Sequence, residues 1–289
     1  SFKIMVYITG ITGFIGQNLS QYLGAHVVGV NLRKQDPLSF EKGSAVLHLA
    51  GKAHDVKKTS APLEYFDVNT ELTKKVFDAF LASEASVFVF MSTVKALEGK
   101  EIGASAYSQS KYQAEEYILA QKVFPGKRVY ILRPVMVHGP GNKGNLNLLF
   151  GVVKRLGIWP LAAFENKRSF VSVENLCFVV KALIENENVA SGVYEVADEE
   201  ALSTNELVAF AGEALQKKVV FWKTPKGLVF LLAKLGDVLP LPLNSERLEK
   251  LTENAVVDAS PLLKALGVKS LPLRTLEGFK KTFDAFVHE

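Results

Sequence analysis

Five apolar runs of strand length punctuate the first half of the chain: KIMVYIT (3–9), HVVGVN (26–31), AVLHLAG (45–51), SVFVFMST (86–93) and RVYILRP (128–134). Between most of them lie segments with helical spacing, over 14–24, 66–83 and 106–123. A strand that is apolar on both faces needs cover on both. An intervening helix gives that cover while returning the chain parallel to where it started. The pattern predicts an α/β fold with a doubly wound parallel sheet. About a dozen residues, Leu32 to Ser44, join the second run to the third. A crossover with its own helix needs more chain, so one βα unit is expected to be shortened.

Beyond residue 140 the rhythm changes. A loop, GPGNKGN (139–145), opens a helix-like stretch over 146–156, and SFVSV (169–173), a helix near 174–187 and GVYEVA (192–197) return to sheet character. From about 203 the chain reads as short amphipathic helices broken by prolines at 225, 240, 242, 261 and 272. We therefore expect an α/β domain over 1–145 and 168–200, and a smaller helix-rich region over 146–167 and 201–289.

Composition narrows the classes. At 48% hydrophobic and 22% charged, the chain is not a disordered segment. Lys plus Arg number 34 against 30 acids. The densest pairs, Lys57-Lys58, Lys74-Lys75, Lys217-Lys218 and Lys280-Lys281, are scattered and read as solvated helix faces, so no nucleic-acid partner is expected. One cysteine, Cys177, reads as a small core residue and suits a reducing cytoplasm. No secretory leader is read, and no apolar run reaches the roughly 18 residues of a membrane span. The most apolar stretch, GLVFLLAKLGDVLPLPL (227–243), reads as core or interface packing, with peripheral membrane contact as the alternative. Trp159 and Trp222 read as core or interface anchors. His26, His54 and His288 lack metal-ligand spacing, so no metal is expected; His48 and His138 read as packed histidines.

Three motifs carry chemistry. Gly10, Gly13 and Gly16 form G-x-x-G-x-x-G between the first strand and the first helix. Glycines there allow a tight turn, close approach of a pyrophosphate, and tight helix packing, with the phosphates at the positive end of the helix. The α/β domain thus reads as dinucleotide-binding and the helix-rich region as substrate-binding. At the end of the second strand, where an acid would contact the adenosine ribose, stands Asn31, with Arg33 and Lys34 behind it. Arg33 suits a 2′-phosphate, so NAD(P) is expected, with NADP(H) slightly favoured over NAD(H). Thr93 ends a buried strand, and Tyr107 and Lys111 follow at i, i+4 on one helix face. A nearby cation favours the phenolate and brings a tyrosine toward working pH as an acid/base.

In these motifs the chain resembles the extended short-chain dehydrogenases/reductases, the NAD-dependent epimerase/dehydratase family. TGITGFIG (9–16) is similar to the family's T-G-x-x-G-F-[IV]-G, and HLAG (48–51) to its H-L-A-A. Asn69 matches the asparagine that opens the fourth helix. MST (91–93), YSQSK (107–111), RPVMVHGPG (133–141) and KRSFVSVENL (167–176) follow in the family's order. The resemblance implies cofactor contacts at Gly10, Gly13, Phe14, Ile15, Gly16, Asn31, Arg33, Leu49, Ala50, Gly51, Asn69 and Lys111. It implies Tyr107 as acid/base, Lys111 on the nicotinamide ribose, Thr93 (Ser92 the lesser candidate) on the reacting sugar oxygen, and Asn145 and Arg168 on the substrate diphosphate. Arg247 is a looser match for a second phosphate ligand.

GPGNKGNLNLLF and NKRSFVSVENL look most like bacterial 4-epimerases and 4-ketoreductases of UDP-N-acetylhexosamines in surface-polysaccharide synthesis. The implied function is NAD(P)-dependent chemistry at C4 of a UDP-hexose or UDP-N-acetylhexosamine, in a cytoplasmic homodimer assembled through 66–83 and 106–123. Related 4,6-dehydratases carry an acidic pair after the strand-end Thr; Val94 and Lys95 stand here, which disfavours dehydration. The alternative is a non-catalytic dinucleotide sensor or scaffold on the same fold.

Overall fold

The computed structural model describes residues 3–34, 37–52, 61–142, 144–239, 241 and 243–288; Asp36, His54 and the Lys57-Lys58 pair lie outside them. In chain order, β1 (Val6–Thr9) leads into α1 (Phe14–Leu23), followed by β2 (Val27–Val30) and β3 (Ala45–His48). Then α2 (Pro62–Phe66), a π-helical turn (Asp67–Glu71) and α3 (Leu72–Ala82) run continuously toward β4 (Val87–Met91). Next come a 3-10 segment (Val94–Lys100), α4 (Ala106–Ala120), β5 (Arg128–Pro134), β6 (Met136–His138), α5 (Asn145–Leu156) and β7 (Ile158–Trp159). They are followed by β8 (Phe170–Ser172), α6 (Val173–Glu185), β9 (Gly192–Val196) and α7 (Thr204–Ala214). The chain finishes with β10 (Val220–Phe221), α8 (Lys226–Val238), α9 (Ser245–Thr252), α10 (Ser260–Leu266) and α11 (Thr275–His288).

The apolar runs become a six-stranded sheet in the order β2-β1-β3-β4-β5-β9, with every pairing parallel. This is the Rossmann-like arrangement expected, with the sequence reversing direction across the sheet at β1. Every residue of β3 and β4 is buried, as a sheet covered on both faces requires. Phe77 and Phe80 of α3 close one face by packing on Phe88 of β4. The described residues between β2 and β3 contain no helix, so the crossover is shortened as its length predicts.

The chain divides into two compact units. The first holds 1–135, 175–196 and 259–270, and the second holds 136–174, 197–258 and 271–289. The return of α10 to the first unit, where it contacts β9, has no marker in the sequence. In the second unit α5, α7 and α11 share a core in which Phe150 stacks on Phe283, beside two short parallel pairs, β6 with β8 and β7 with β10. His138 is buried there, stacked 3.9 Å from Phe279 and hydrogen-bonded to Thr282. Cys177 is buried, and the described residues contain no cluster able to hold a metal ion.

Candidate active site

The glycine turn is built around three different constraints. Gly10 has a φ of +71°, and a Cβ there would lie 2.7 Å from the Ala50 nitrogen. At Gly16 a Cβ would lie 2.7 Å from Ile11 Cα. Both positions exclude a side chain for reasons of the fold itself. Gly13 differs. Its φ is −76°, and an added Cβ would meet the Gly10 carbonyl oxygen at 3.3 Å, a tight fit. Gly13 is the N-cap of α1, and no acid sits in that helix's first turn. Its exposed backbone leaves the helix end open to an anion. Phe14 and Ile15, half-buried, begin α1 behind it.

A one-way chain of hydrogen bonds fixes the loop after β3. The Ala50 amide donates to Thr9 Oγ1 at 3.1 Å, and Thr9 Oγ1 lies 2.8 Å from His48 Nδ1. On the other side His48 Nε2 lies 2.9 Å from Thr73 Oγ1, whose proton goes to the Asn69 carbonyl. Since the Thr73 hydroxyl spends its proton on Asn69, it accepts from His48. Nε2 therefore carries the hydrogen, and Nδ1 accepts from Thr9. The imidazole is neutral: burial, helped by the nearby Lys111 ammonium, lowers its pKa to about 3. Asn69 is itself a clamp. Its Oδ1 accepts from the Lys52 amide at 2.7 Å, and its Nδ2 donates to the Lys52 carbonyl and to Ser110 Oγ. Leu49, Ala50 and Gly51 are thereby held against the glycine turn; a Cβ on Gly51 would meet Asn69 Oδ1 at 3.0 Å and Lys111 Nζ at 3.2 Å.

Thr93, Tyr107 and Lys111 come together at the end of β4. Thr93 caps the 3-10 segment, accepting from the Lys95 amide, and its side chain lies beside the Tyr107 phenol. Burial raises the Tyr107 pKa, the Thr93 hydroxyl beside it pulls it down, and Tyr65, packed edge-on at 6.4 Å, adds to the rise. Lys111, one turn on, donates to the Met91 carbonyl at 2.8 Å and lies over the Phe90 ring. Burial lowers its pKa to about 8, against the opposing pull of Glu115. In this structure, then, Thr93 is the group that lowers the phenol, while the ammonium is engaged by Met91. Ser92 is drawn away from this cluster: its hydroxyl donates to the buried Glu115, which also holds Arg133 through both Nε and Nη2.

At the end of β2, the Asn31 side chain accepts from the Arg33 amide at 3.0 Å, forming a side-chain turn. Asn31 and Arg33 are both exposed.

The second unit contains a cavity of about 600 Å³ lined by α5, α9 and residues around β8, with Arg168, Arg247 and Lys250 among its walls. Arg168 is locked in place. It donates to the Lys250 carbonyl at 2.5 Å, pairs with Glu253 at 3.0 Å, and lies over the Phe170 ring. Its backbone exchanges hydrogen bonds with Leu202 in both directions. Burial lowers its pKa against the pull of Glu253. Asn145 is the first residue of α5, and its side chain lies outside the described residues.

Three contributors escaped sequence reasoning. Glu115 stands at i+4 from Lys111, a spacing that could have identified it as the counter-charge under the site. Ser110, between Tyr107 and Lys111, ties Asn69 to α4. Lys250 joins the cavity walls from α9, where only its i+3 spacing from Arg247 hints at a shared face.

The NAD dependent epimerase/dehydratase family model matches residues 6–197. The chain is similar to a UDP-glucose 4-epimerase of Vibrio cholerae, 31% identical over 320 aligned positions that cover 98% of this chain and 95% of the relative. It is also similar to an N-acetyl-alpha-D-glucosaminyl-diphospho-ditrans,octacis-undecaprenol 4-epimerase of Escherichia coli O157:H7, 25% identical over 98% of this chain and 96% of that one. Among solved structures, RMD from Pseudomonas aeruginosa complexed with NADPH has the same fold, with a TM-score of 0.71 and 18% identity over 99% of this chain and 100% of that one. With its Rossmann-like sheet, glycine turn and Thr/Tyr/Lys cluster, the chain belongs to the NAD dependent epimerase/dehydratase family and is an enzyme of the extended short-chain dehydrogenase/reductase type.

Proposed function

We propose that this enzyme is an NAD(P)-dependent 4-epimerase of a UDP-hexose or UDP-N-acetylhexosamine. The observation that carries the reading is the Tyr107 phenol beside Thr93 at the end of a buried strand, with Lys111 one turn away. The residues present fit a dinucleotide: Gly13 leaves an open helix end, and Gly51 passes close to Lys111 without a side chain. Gly10, Gly13, Phe14, Ile15 and Gly16 would hold its phosphates, Leu49, Ala50, Gly51 and Asn69 its central portion, and Lys111 the nicotinamide ribose. When bound, the nicotinamide supplies hydride exchange with C4 of the sugar.

The remaining steps fall to side chains. Tyr107 takes the proton of the 4-hydroxyl and returns it, while Thr93 orients the sugar oxygen and stabilises the phenolate by donating to it. The Lys111 ammonium, with Glu115 as its counter-charge, remains predominantly protonated at pH 7. Ser92 takes no part, because Glu115 already holds its hydroxyl. In the second unit Arg168, with Arg247 and Asn145, would bind the diphosphate. Val94 and Lys95 offer no carboxylate for dehydration. The same reading carries with it the domain roles expected from the sequence and a cytoplasmic homodimer through 66–83 and 106–123.

A second reading, 4-ketoreductase, is favoured by the side chain at the end of β2: Asn31 carries no charge to repel a 2′-phosphate, and Arg33 follows it. Purified protein incubated with UDP-glucose or UDP-N-acetylglucosamine and NAD tests the choice. Appearance of the 4-epimer by proton NMR without net cofactor reduction is expected. Turnover confined to a 4-keto sugar with stoichiometric NADPH oxidation assigns the reductase. Cofactor binding with no turnover of any UDP-sugar would overturn the catalytic reading in favour of a dinucleotide sensor.

A further inference from the structure

Helix α8 presents its apolar stripe to solvent. Leu228, Leu231, Leu232, Leu235, Val238 and Leu239 recur at i, i+3, i+4, i+7, i+10 and i+11, the spacing by which a helix ordinarily faces a core. All six are exposed, from 43% at Leu232 to 86% at Val238. The helix is instead attached by a narrow opposite face. Val229 and Ala233 are its buried residues, and Gly236 sits against the Leu243 backbone, where a Cβ could not fit. The Asp237 carboxylate accepts from the amide and hydroxyl of Ser245 and so pins the end of α8 to the start of α9. These contacts fix the orientation of α8, so the exposed stripe is a built surface.

Its chemistry identifies the occupant. Projected at 3.6 residues per turn, the six apolar residues cover about 120° of the helix; Lys234 borders that arc next to Val238, and Lys226, on the attached side, reaches over the Phe164 ring, against which the exposed Phe230 also packs. Between 217 and 239 the chain carries five lysines (217, 218, 223, 226 and 234) against one acid, Asp237. The acid is occupied by Ser245. Next to α8, Trp222 is 64% exposed, beside the exposed Phe221 of β10. A leucine stripe bordered by lysine, with further lysines and an interfacial tryptophan in the segment just before it, is the composition of a helix lying in the plane of a bilayer surface. The core of a protein–protein interface, by contrast, is depleted of lysine. No helix among the described residues is long and apolar enough to cross a membrane, so contact would be in-plane.

We propose that α8 and Trp222 dock this protein on an anionic lipid surface. The proposal stands apart from the reaction assigned to the enzyme. The full chain would be sedimented with sucrose-loaded vesicles of phosphatidylcholine alone or with phosphatidylglycerol, and tryptophan emission followed in the same mixtures. At about 0.1 M salt the expected result is co-sedimentation at least tenfold stronger with the anionic vesicles, reduced in 0.5 M salt. A blue shift in emission should accompany it. Only two tryptophans are present, and Trp159 is already buried, so the shift should vanish in Trp222→Phe. The exposed-site variant Leu231→Glu/Leu235→Glu should melt like wild type and lose vesicle binding. Protein left in the supernatant with both vesicle types, or equal binding to both, would overturn the proposal. So would a wild-type dimer that the double substitution converts to monomer, which would make the face an interface between two copies.

Discussion

The two units use polar groups in opposite ways. In the first, buried donors and acceptors are paired so completely that each hydroxyl has one permitted direction: Ala50 to Thr9, Thr9 to His48, His48 to Thr73, Thr73 to Asn69. In the second, Arg155, Arg168, Arg247 and Lys250 bring four cations to a cavity whose other walls are largely apolar, with Arg168 held by a backbone carbonyl and one glutamate. The difference matches the two proposed tasks. Placing a proton within a fraction of an ångström requires a shell whose every bond is determined. Holding a diphosphate requires concentrated charge of one sign.

The comparison can be tested from its most demanding point outward. Tyr107→Phe removes the proton carrier and leaves the ring's packing, so turnover should fall about 10²–10⁴-fold with cofactor affinity unchanged. Steady-state kinetics beside cofactor titration would show it; turnover within threefold of wild type would remove Tyr107 from the chemistry.

The next effect concerns the rigid shell. His48 has a folded pKa of about 3 against an ordinary 6.5. Between those values the unfolded chain binds the proton and the folded chain does not, so stability is fully present above pH 6.5 and falls as pH drops toward 3. At pH 4.5 the loss from this one group comes to about 2–3 kcal/mol. Urea unfolding at pH 7 and 4.5 should show that component in wild type and lack it in His48→Gln. Equal pH responses would mean that burial does not hold the imidazole neutral.

Arg168→Ala addresses the second unit. Loss of a charge-assisted bond to the diphosphate should raise the KM for a UDP-sugar about ten- to a hundredfold and spare cofactor affinity. Calorimetry showing both ligands weakened alike would contradict separate phosphate sites. The smallest effect is at the end of β2. Arg33→Ala should lower NADPH affinity about tenfold and leave NADH unchanged. Equal binding of the two cofactors by wild type, read by nicotinamide fluorescence, would assign Arg33 to solvent.

Much of the first unit was legible because its constraints are local. Gly10 and Gly16 mark close approaches of backbone, the apolar runs mark a doubly covered sheet, and Tyr107 and Lys111 share a face by spacing alone. The packed readings of His48, His138 and Cys177 hold for the same reason: each lies on an apolar element. What escaped depends on contacts distant in sequence. Glu115 shares a helix face with Lys111, but the partners that hold it buried, Ser92 and Arg133, come from the ends of β4 and β5. The α8 stripe shows the limit most plainly. Helical periodicity reports that one face is apolar and cannot report whether anything covers it, so Leu228 and Leu235 read as core or interface residues, and they stand exposed on this chain. Trp159 and Trp222 divide the same way, the first buried with its indole donating to Asn205, the second exposed.

The helix-free connection after β2 also carries a hazard for self-association. With no further strand beyond it among the described residues, β2 ends its side of the sheet and offers a row of backbone groups to any extended chain that comes near. The strand is only four residues long, has Gly29 inside it, and is followed at once by Arg33 and Lys34. Few rungs, a weak strand former and paired cations all oppose fibril-like stacking. Lengthening β2 with β-branched residues while neutralising those cations would convert a harmless edge into a template for aggregation. A shortened crossover of this kind is safe only while the strand beside it stays short.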